Sequence, residues 1–66
     1  MKIRIKAISE DDYFFKHQDK YIGLVGEANG IKPYKDQFKS LWFVRPGYKA
    51  PIFFLGVTFE EVKDES

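Results

Sequence analysis

The sequence predicts an all-β unit, a small and strongly bent barrel of five short strands, and three observations carry that expectation. The opening Lys2-Ile3-Arg4-Ile5-Lys6-Ala7-Ile8 alternates charge with apolar residue at period two, the pattern of a strand with one face on a core and one in water. Glycines interrupt the later apolar runs at Gly23, Gly26 and Gly56, where a strand can bend or bulge. No long stretch sustains an apolar repeat at helical spacing. A sheet this small exposes its edges unless it closes, so a barrel is the economical architecture.

Taken in order, the first strand places Ile3, Ile5 and Ala7 inward and Lys2, Arg4 and Lys6 outward, because successive strand side chains alternate between faces. Residues 9–20 are polar at both ends and aromatic in the middle and read as a long loop. Ser9 with Asp12 three residues on suggests at most one helical turn there. The loop aromatics then either fold back over the core or stand at a binding surface. Residues 21–28 form the second strand, and Asn29-Gly30 behind it is a hairpin signal, so a strand should return after Gly30. Pro33 interrupts that return, and Phe38, Leu41 and Trp42 also satisfy a helical i, i+3, i+4 spacing; the segment is assigned as an extended stretch over 31–34 and a firmer strand over 41–45. Pro46-Gly47 is a turn. The run 52–55 reads as a buried strand, Gly56 allows a kink, and 57–62 resumes the alternation.

Composition narrows the function classes. The 66 residues include twelve aromatics (seven Phe, four Tyr, one Trp) and no cysteine, so neither a disulfide nor a thiolate zinc site supports the fold. Packing must do so, and each aromatic can bury ~150–250 Å². The longest apolar stretch, residues 51–57, is far short of the ~20 needed to cross a bilayer, and residues 1–6 lack a signal peptide's apolar core. A soluble cytoplasmic protein without a membrane partner is the expectation. The net charge of +1 hides an asymmetry: removing the four acids and one base of residues 60–66 leaves ten bases and six acids on 1–59, a balance of +4. One domain is expected over 1–62, followed by a short acidic tail over 63–66.

The element order resembles the SH3-like barrel: a first strand, a long aromatic loop, a Gly-x-x-Gly strand, a Trp-bearing middle strand, and a return into a closing strand ending in Glu-Glu-Val. Within it, Ile22-Gly23-Leu24-Val25-Gly26-Glu27-Ala28 is similar to the core of KOW-type barrels. The resemblance implies one of two kinds of work. SH3 domains hold proline-rich peptides in an aromatic groove, and Tyr13, Trp42 and Pro51 would fill three of its places, with Glu10, Asp11 and Asp12 as loop acids facing a basic ligand residue. The aromatic after Pro51 is Phe53 or Phe54, which has no hydroxyl for a peptide carbonyl. KOW-like barrels place basic and aromatic side chains on RNA or on neighbouring proteins.

Catalytic and metal constellations are missing from the sequence pattern. His17 is the only histidine; one imidazole among Asp11, Asp12 and Asp19 is a poor zinc set and lacks the spacing of a calcium loop, so it reads as an exposed loop residue. Ser9 and Ser40 have no neighbouring base, and no Gly-rich phosphate loop is present. The aromatic set Tyr13, Phe14, Phe15, Tyr34, Trp42 and Tyr48 is too large to be all core. Phe38 and Phe59, with Phe53 or Phe54, are assigned inward, and one of Trp42 and Phe43 must face out. An exposed patch of aromatics rimmed by Lys16, Lys35, Arg45 and Lys49 is the candidate interaction surface, with Tyr13, Phe14, Trp42, Arg45, Tyr48 and Pro51 as its binding residues. The expected function is a non-catalytic module that binds a protein partner through this patch and needs no cofactor or metal. The alternative is a barrel that binds RNA or DNA weakly.

Overall fold

In a computed structural model, which describes residues 1–63, the N-terminal alternation becomes strand β1 (Lys2–Ile8). A 3₁₀ turn (Tyr13–His17) and a four-residue helix α1 (Gln18–Tyr21) follow, then β2 (Val25–Lys35), β3 (Phe38–Val44) and β4 (Ile52–Glu61). All pairings are antiparallel, and β1 bonds to both β2 and β4, so the four strands close into a ring. The chain is therefore all-β around two short helical turns. Of the acidic tail expected over 63–66, all but Lys63 lies outside the described residues.

Among the described residues four strands stand where five were expected, and the reason lies at Asn29-Gly30. A two-residue type I′ hairpin needs positive φ at both central positions. Only Gly30 adopts it, at 64°, so the chain bulges instead of reversing. From the pair Asn29↔Trp42 to Lys32↔Ser40, β2 uses one more residue than β3 and continues to Lys35 as one bent strand. The reversal comes at Asp36-Gln37, where Asp36 has φ 50°. Aspartate tolerates that region because its short side chain can bond locally. The start of β2 also differs from expectation. Tyr21 closes α1, the Ile22 amide donates to the Gln18 carbonyl at 2.8 Å, and Gly23 turns the chain at φ 94°.

Further bulges decide which side chains face in. In β1 the register slips between Ile5 and Ala7, so Ile8 takes the buried place that alternation gave to Ala7. In β4 the register slips opposite Lys39 to Leu41, around Leu55-Gly56, which agrees with the kink expected at Gly56. The buried core is Ile3, Ile5, Ile8, Ala28, Leu41, Phe43, Phe54 and Val57. Phe54 sits at its centre, its ring 5.2 Å from Phe14, 5.6 Å from Tyr21 and 5.8 Å from Phe43, all edge-on. The segment read as a loop thus folds back as a lid, with Phe14 and Tyr21 over Phe54. Phe38 and Phe59 are only partly buried, because each lies near a strand end where the wall of the ring stops.

Asp12 locks the lid. It is 4% exposed, its Oδ1 accepts from the Phe14 amide at 2.8 Å as the N-cap of the 3₁₀ turn, and its Oδ2 accepts from the Gly56 amide at 3.0 Å. Ser9 completes the link by donating its amide to the Gly56 carbonyl at 2.9 Å. Asp12→Ala removes a cap and strands a buried N–H at the β4 bulge. Caps contribute about 1 kcal/mol and an unsatisfied buried donor costs about 1–3 kcal/mol. The expected loss is ~2–4 kcal/mol, read as a lower denaturant midpoint at unchanged m-value; an unaltered midpoint would contradict this role.

Gly26 marks the closest backbone approach. A Cβ there would lie 2.8 Å from Phe43 Cζ and closer still to the Val44 carbonyl oxygen, which is main chain and cannot rotate away. Gly26→Ala is expected to cost at least ~1–3 kcal/mol, the usual penalty of forced overpacking. For a domain of this size that is a fall of roughly 5–20 °C in Tm, measurable by thermal circular dichroism.

Candidate functional site

Strand alternation puts Phe43 in the core and turns Trp42 outward. Trp42 pairs in register with Phe53 on β4, where Phe54 has taken the inward place. Their rings tilt together at 5.1 Å between centroids, with 47% of Trp42 and 43% of Phe53 exposed. On the other side of Trp42 lies the β2 bulge, where a Cβ on Gly30 would come 3.4 Å from Trp42 Cδ1. The bulge that bends the strand also leaves the indole lying across bare backbone.

A second group forms where the β3–β4 connection meets α1. Arg45-Pro46-Gly47-Tyr48 closes with the Tyr48 amide donating to the Arg45 carbonyl at 3.1 Å, and Gly47 has φ 80°. Proline followed by glycine is the residue order of a type II turn, which requires positive φ at its third position. The turn lays the Arg45 guanidinium over the Tyr48 ring at 3.7 Å. Opposite them stand Lys20, Tyr21 and Leu24, and the six residues enclose a pocket of about 290 Å³. A wider groove of about 1070 Å³ lies on the other side of Arg45 and Pro46, lined by Val25, Gly26, Val44, Val62 and charges of both signs.

The six predicted binding residues therefore do not form one patch. Tyr13 is 71% exposed, with Phe14 edge-on at 5.2 Å and Lys16 4.8 Å above its ring. Phe14 is half-buried and belongs to the lid. Arg45 and Tyr48 form the stacked pair, Trp42 pairs with Phe53, and Pro51 is exposed just before β4. Among the described residues no ring contact links Trp42 to Tyr13 or Tyr48. Phe53 and Tyr21 are the contributors the sequence reading missed. Counting alternation back from the buried Val57 fails for Phe53 because the bulge at Leu55-Gly56 shifts the phase, and Tyr21 was assigned to a strand.

The loop acids are also occupied. Asp12 is buried, and Asp11 accepts from the Tyr34 hydroxyl at 3.1 Å and from the Lys35 ammonium. On the β1 face Arg4 bonds Glu60 at 2.8 Å, and Lys6 approaches the same carboxylate at 3.6 Å. His17 is half-buried at the start of α1 and not the exposed residue expected, because the loop around it coils into helical turns. Among the described residues no group of three or more His, Asp or Glu converges as a metal site, and no helix is long and apolar enough to cross a membrane. No protein-family model matches the chain, and comparison with curated proteins and with solved structures likewise finds no match.

The surface ion pairs predict an acid-limb dependence of stability. Hydrogen bonds from Lys35 and Tyr34 hold Asp11 below its ordinary range, and a hydrogen bond from Arg4 with the charge of Lys6 does the same for Glu60. A carboxylate depressed in the folded state stabilises above its unfolded pKa and loses that contribution as pH falls through the folded value. The window therefore opens near about pH 4 and extends downward. A variant carrying Asp11→Asn and Glu60→Gln should show a smaller drop in Tm between about pH 5 and pH 2.5 than the parent. Parallel curves would mean that these pairs do not form in solution.

Proposed function

We propose that the chain is a non-catalytic protein-binding module built as an SH3-like barrel, and that it engages its partner through the outward aromatic pair Trp42 and Phe53. The observation that carries this reading is the pair itself: two large rings on adjacent strands, each more than two-fifths exposed and braced against one another. Aromatics held rigid by a sheet bring large contact area at little entropic cost, which is why Trp and Tyr dominate binding hot spots. The ring of four antiparallel strands supports the barrel reading, since β2 is bent at Gly30 and its halves would count as two strands in a five-strand scheme. Binding to nucleic acid is less well supported. It would draw on the Arg4 and Lys6 stripe, and both of these bases share Glu60, while Lys35 is engaged by Asp11.

The test is capture from the native cell extract, with and without nuclease, by the parent and by Trp42→Ala. Removing an outward cross-strand pair costs only about 0.5–1.5 kcal/mol, so the variant should stay folded. It should lose a nuclease-resistant protein partner by tenfold or more in affinity, as a central hot spot does at roughly 1.4 kcal/mol per decade. Capture that depends on nucleic acid would overturn the reading, provided labelled single strands then bind at moderate salt and both Trp42→Ala and removal of the Lys2, Arg4 and Lys6 charges weaken them.

A further inference from the structure

Arg45 carries a positive charge that no described residue meets with an anion, and one of its donors is buried. Its Nε is buried and donates to nothing, the only buried side-chain polar atom in that position among the described residues. Its terminal nitrogens make no hydrogen bond or ion pair with a described residue either. A guanidinium offers five N–H donors in a fixed planar fork, and here the one on Nε is buried without an acceptor, which is costly. Glu27 and Glu61 line the groove beyond Arg45 and Pro46, yet neither pairs with it. What holds the side chain is the face of Tyr48 at 3.7 Å, and the Pro46-Gly47 turn sets that contact.

We infer that the pocket between α1 and the β3–β4 turn is a carboxylate-recognition site, taking one Asp or Glu side chain of an extended partner segment. Arg45 supplies the fork and Lys20 the second positive charge, and no acid lines the pocket among the described residues. An arginine stacked on an aromatic ring is already ordered, so little more freedom is lost when it closes on a carboxylate in bidentate fashion. Leu24 and Pro46 give the same wall an apolar stretch, which suits an aliphatic neighbour of the acid on a peptide. A polyphosphate strand asks for a track of cations, and this pocket has two. The inference rests on the protein-binding reading and assigns it a partner chemistry at a place separate from Trp42.

The test is a ¹⁵N NMR titration of the whole chain with acetyl-Ala-Leu-Glu-Leu-Ala-amide, with the same peptide carrying glutamine, and with an octathymidylate strand. The glutamate peptide should shift the Arg45 Nε–H signal and the backbone signals of Lys20, Leu24 and Tyr48 in a saturable way. The glutamine peptide should bind about tenfold more weakly, and Arg45→Lys should weaken the glutamate peptide about as much, since an ammonium keeps the charge and loses the fork. Lys20→Gln should cost about threefold, as expected of a solvent-exposed second charge. A dispersed spectrum and an unchanged melt qualify each variant as folded. Equal binding of the two peptides, parent-like binding by Arg45→Lys, or octathymidylate shifting the same signals at lower concentration than the peptide would each overturn the site. In the extract, a partner lost with Trp42→Ala but kept by Arg45→Lys defeats this inference alone, whereas a partner kept by Trp42→Ala defeats the aromatic-face reading.

Discussion

The buried carboxylate of Asp12 is the interaction on which the arrangement of this fold depends. One oxygen caps the 3₁₀ turn through the Phe14 amide, and the other reaches across to the Gly56 amide in β4. A carboxylate so poorly solvated persists only when its oxygens are met by donors, and here two main-chain N–H groups from opposite ends of the chain meet them. The link runs in both directions, because the Ser9 amide bonds the Gly56 carbonyl beside it. The clamp anchors the start of the lid beside Phe14, while main-chain bonds from Ile5 to Gly23 and Leu24 anchor its end beside Tyr21.

The clamp exists because β4 is irregular. A bulge frees main-chain groups from the ladder, and buried groups so freed need other partners. At Leu55-Gly56 they find two: Ser40 donates its hydroxyl to the Leu55 carbonyl, and Asp12 accepts from the Gly56 amide. Gly56 must also lack a side chain, since a Cβ would come 2.9 Å from the Tyr34 ring and 3.1 Å from Ser9. Tyr34 arrives there from the far end of β2, where its hydroxyl and Lys35 bind Asp11. The irregularities in β1, β2 and β4 thus act together. They bend four strands enough to close on themselves, and the one in β4 is satisfied by side chains from elsewhere in the chain, Asp12 and Ser40.

The distribution of aromatics follows from the same constraint. A core closed by so small a ring has room for Phe43 and Phe54, with Phe14, Phe15, Tyr21 and Phe59 packed against it, and Tyr13, Tyr34, Trp42, Tyr48 and Phe53 lie outside. Some of those are braced rather than loose. Trp42 and Phe53 rest on each other and on the bare backbone at Gly30, and Tyr48 is covered by Arg45. Surface rings held in place in this way are ready for contact, since their ordering cost is met by the fold itself.

Period-two alternation was enough to place β1 and the Trp42/Phe43 division, because those signals depend only on neighbouring residues. The Pro46-Gly47 turn was legible because few residue types allow that backbone conformation, and Gly26 because a glycine inside a strand marks a bend or a close approach. Asn29-Gly30 showed where the chain must turn sharply, but whether a positive φ makes a hairpin or a bulge depends on the strand that pairs with it. The candidate surface was legible as a list of residues and not as a place. Trp42 meets Phe53 because β3 pairs with β4 in that register, and Arg45 with Tyr48 meets Lys20 and Tyr21 because α1 folds against the β3–β4 turn. Local sequence sets which conformations a segment can adopt. Which buried donor meets Asp12, and which ring is left facing water, is decided by contacts between residues far apart in the chain, and these exist only once the sheet has closed.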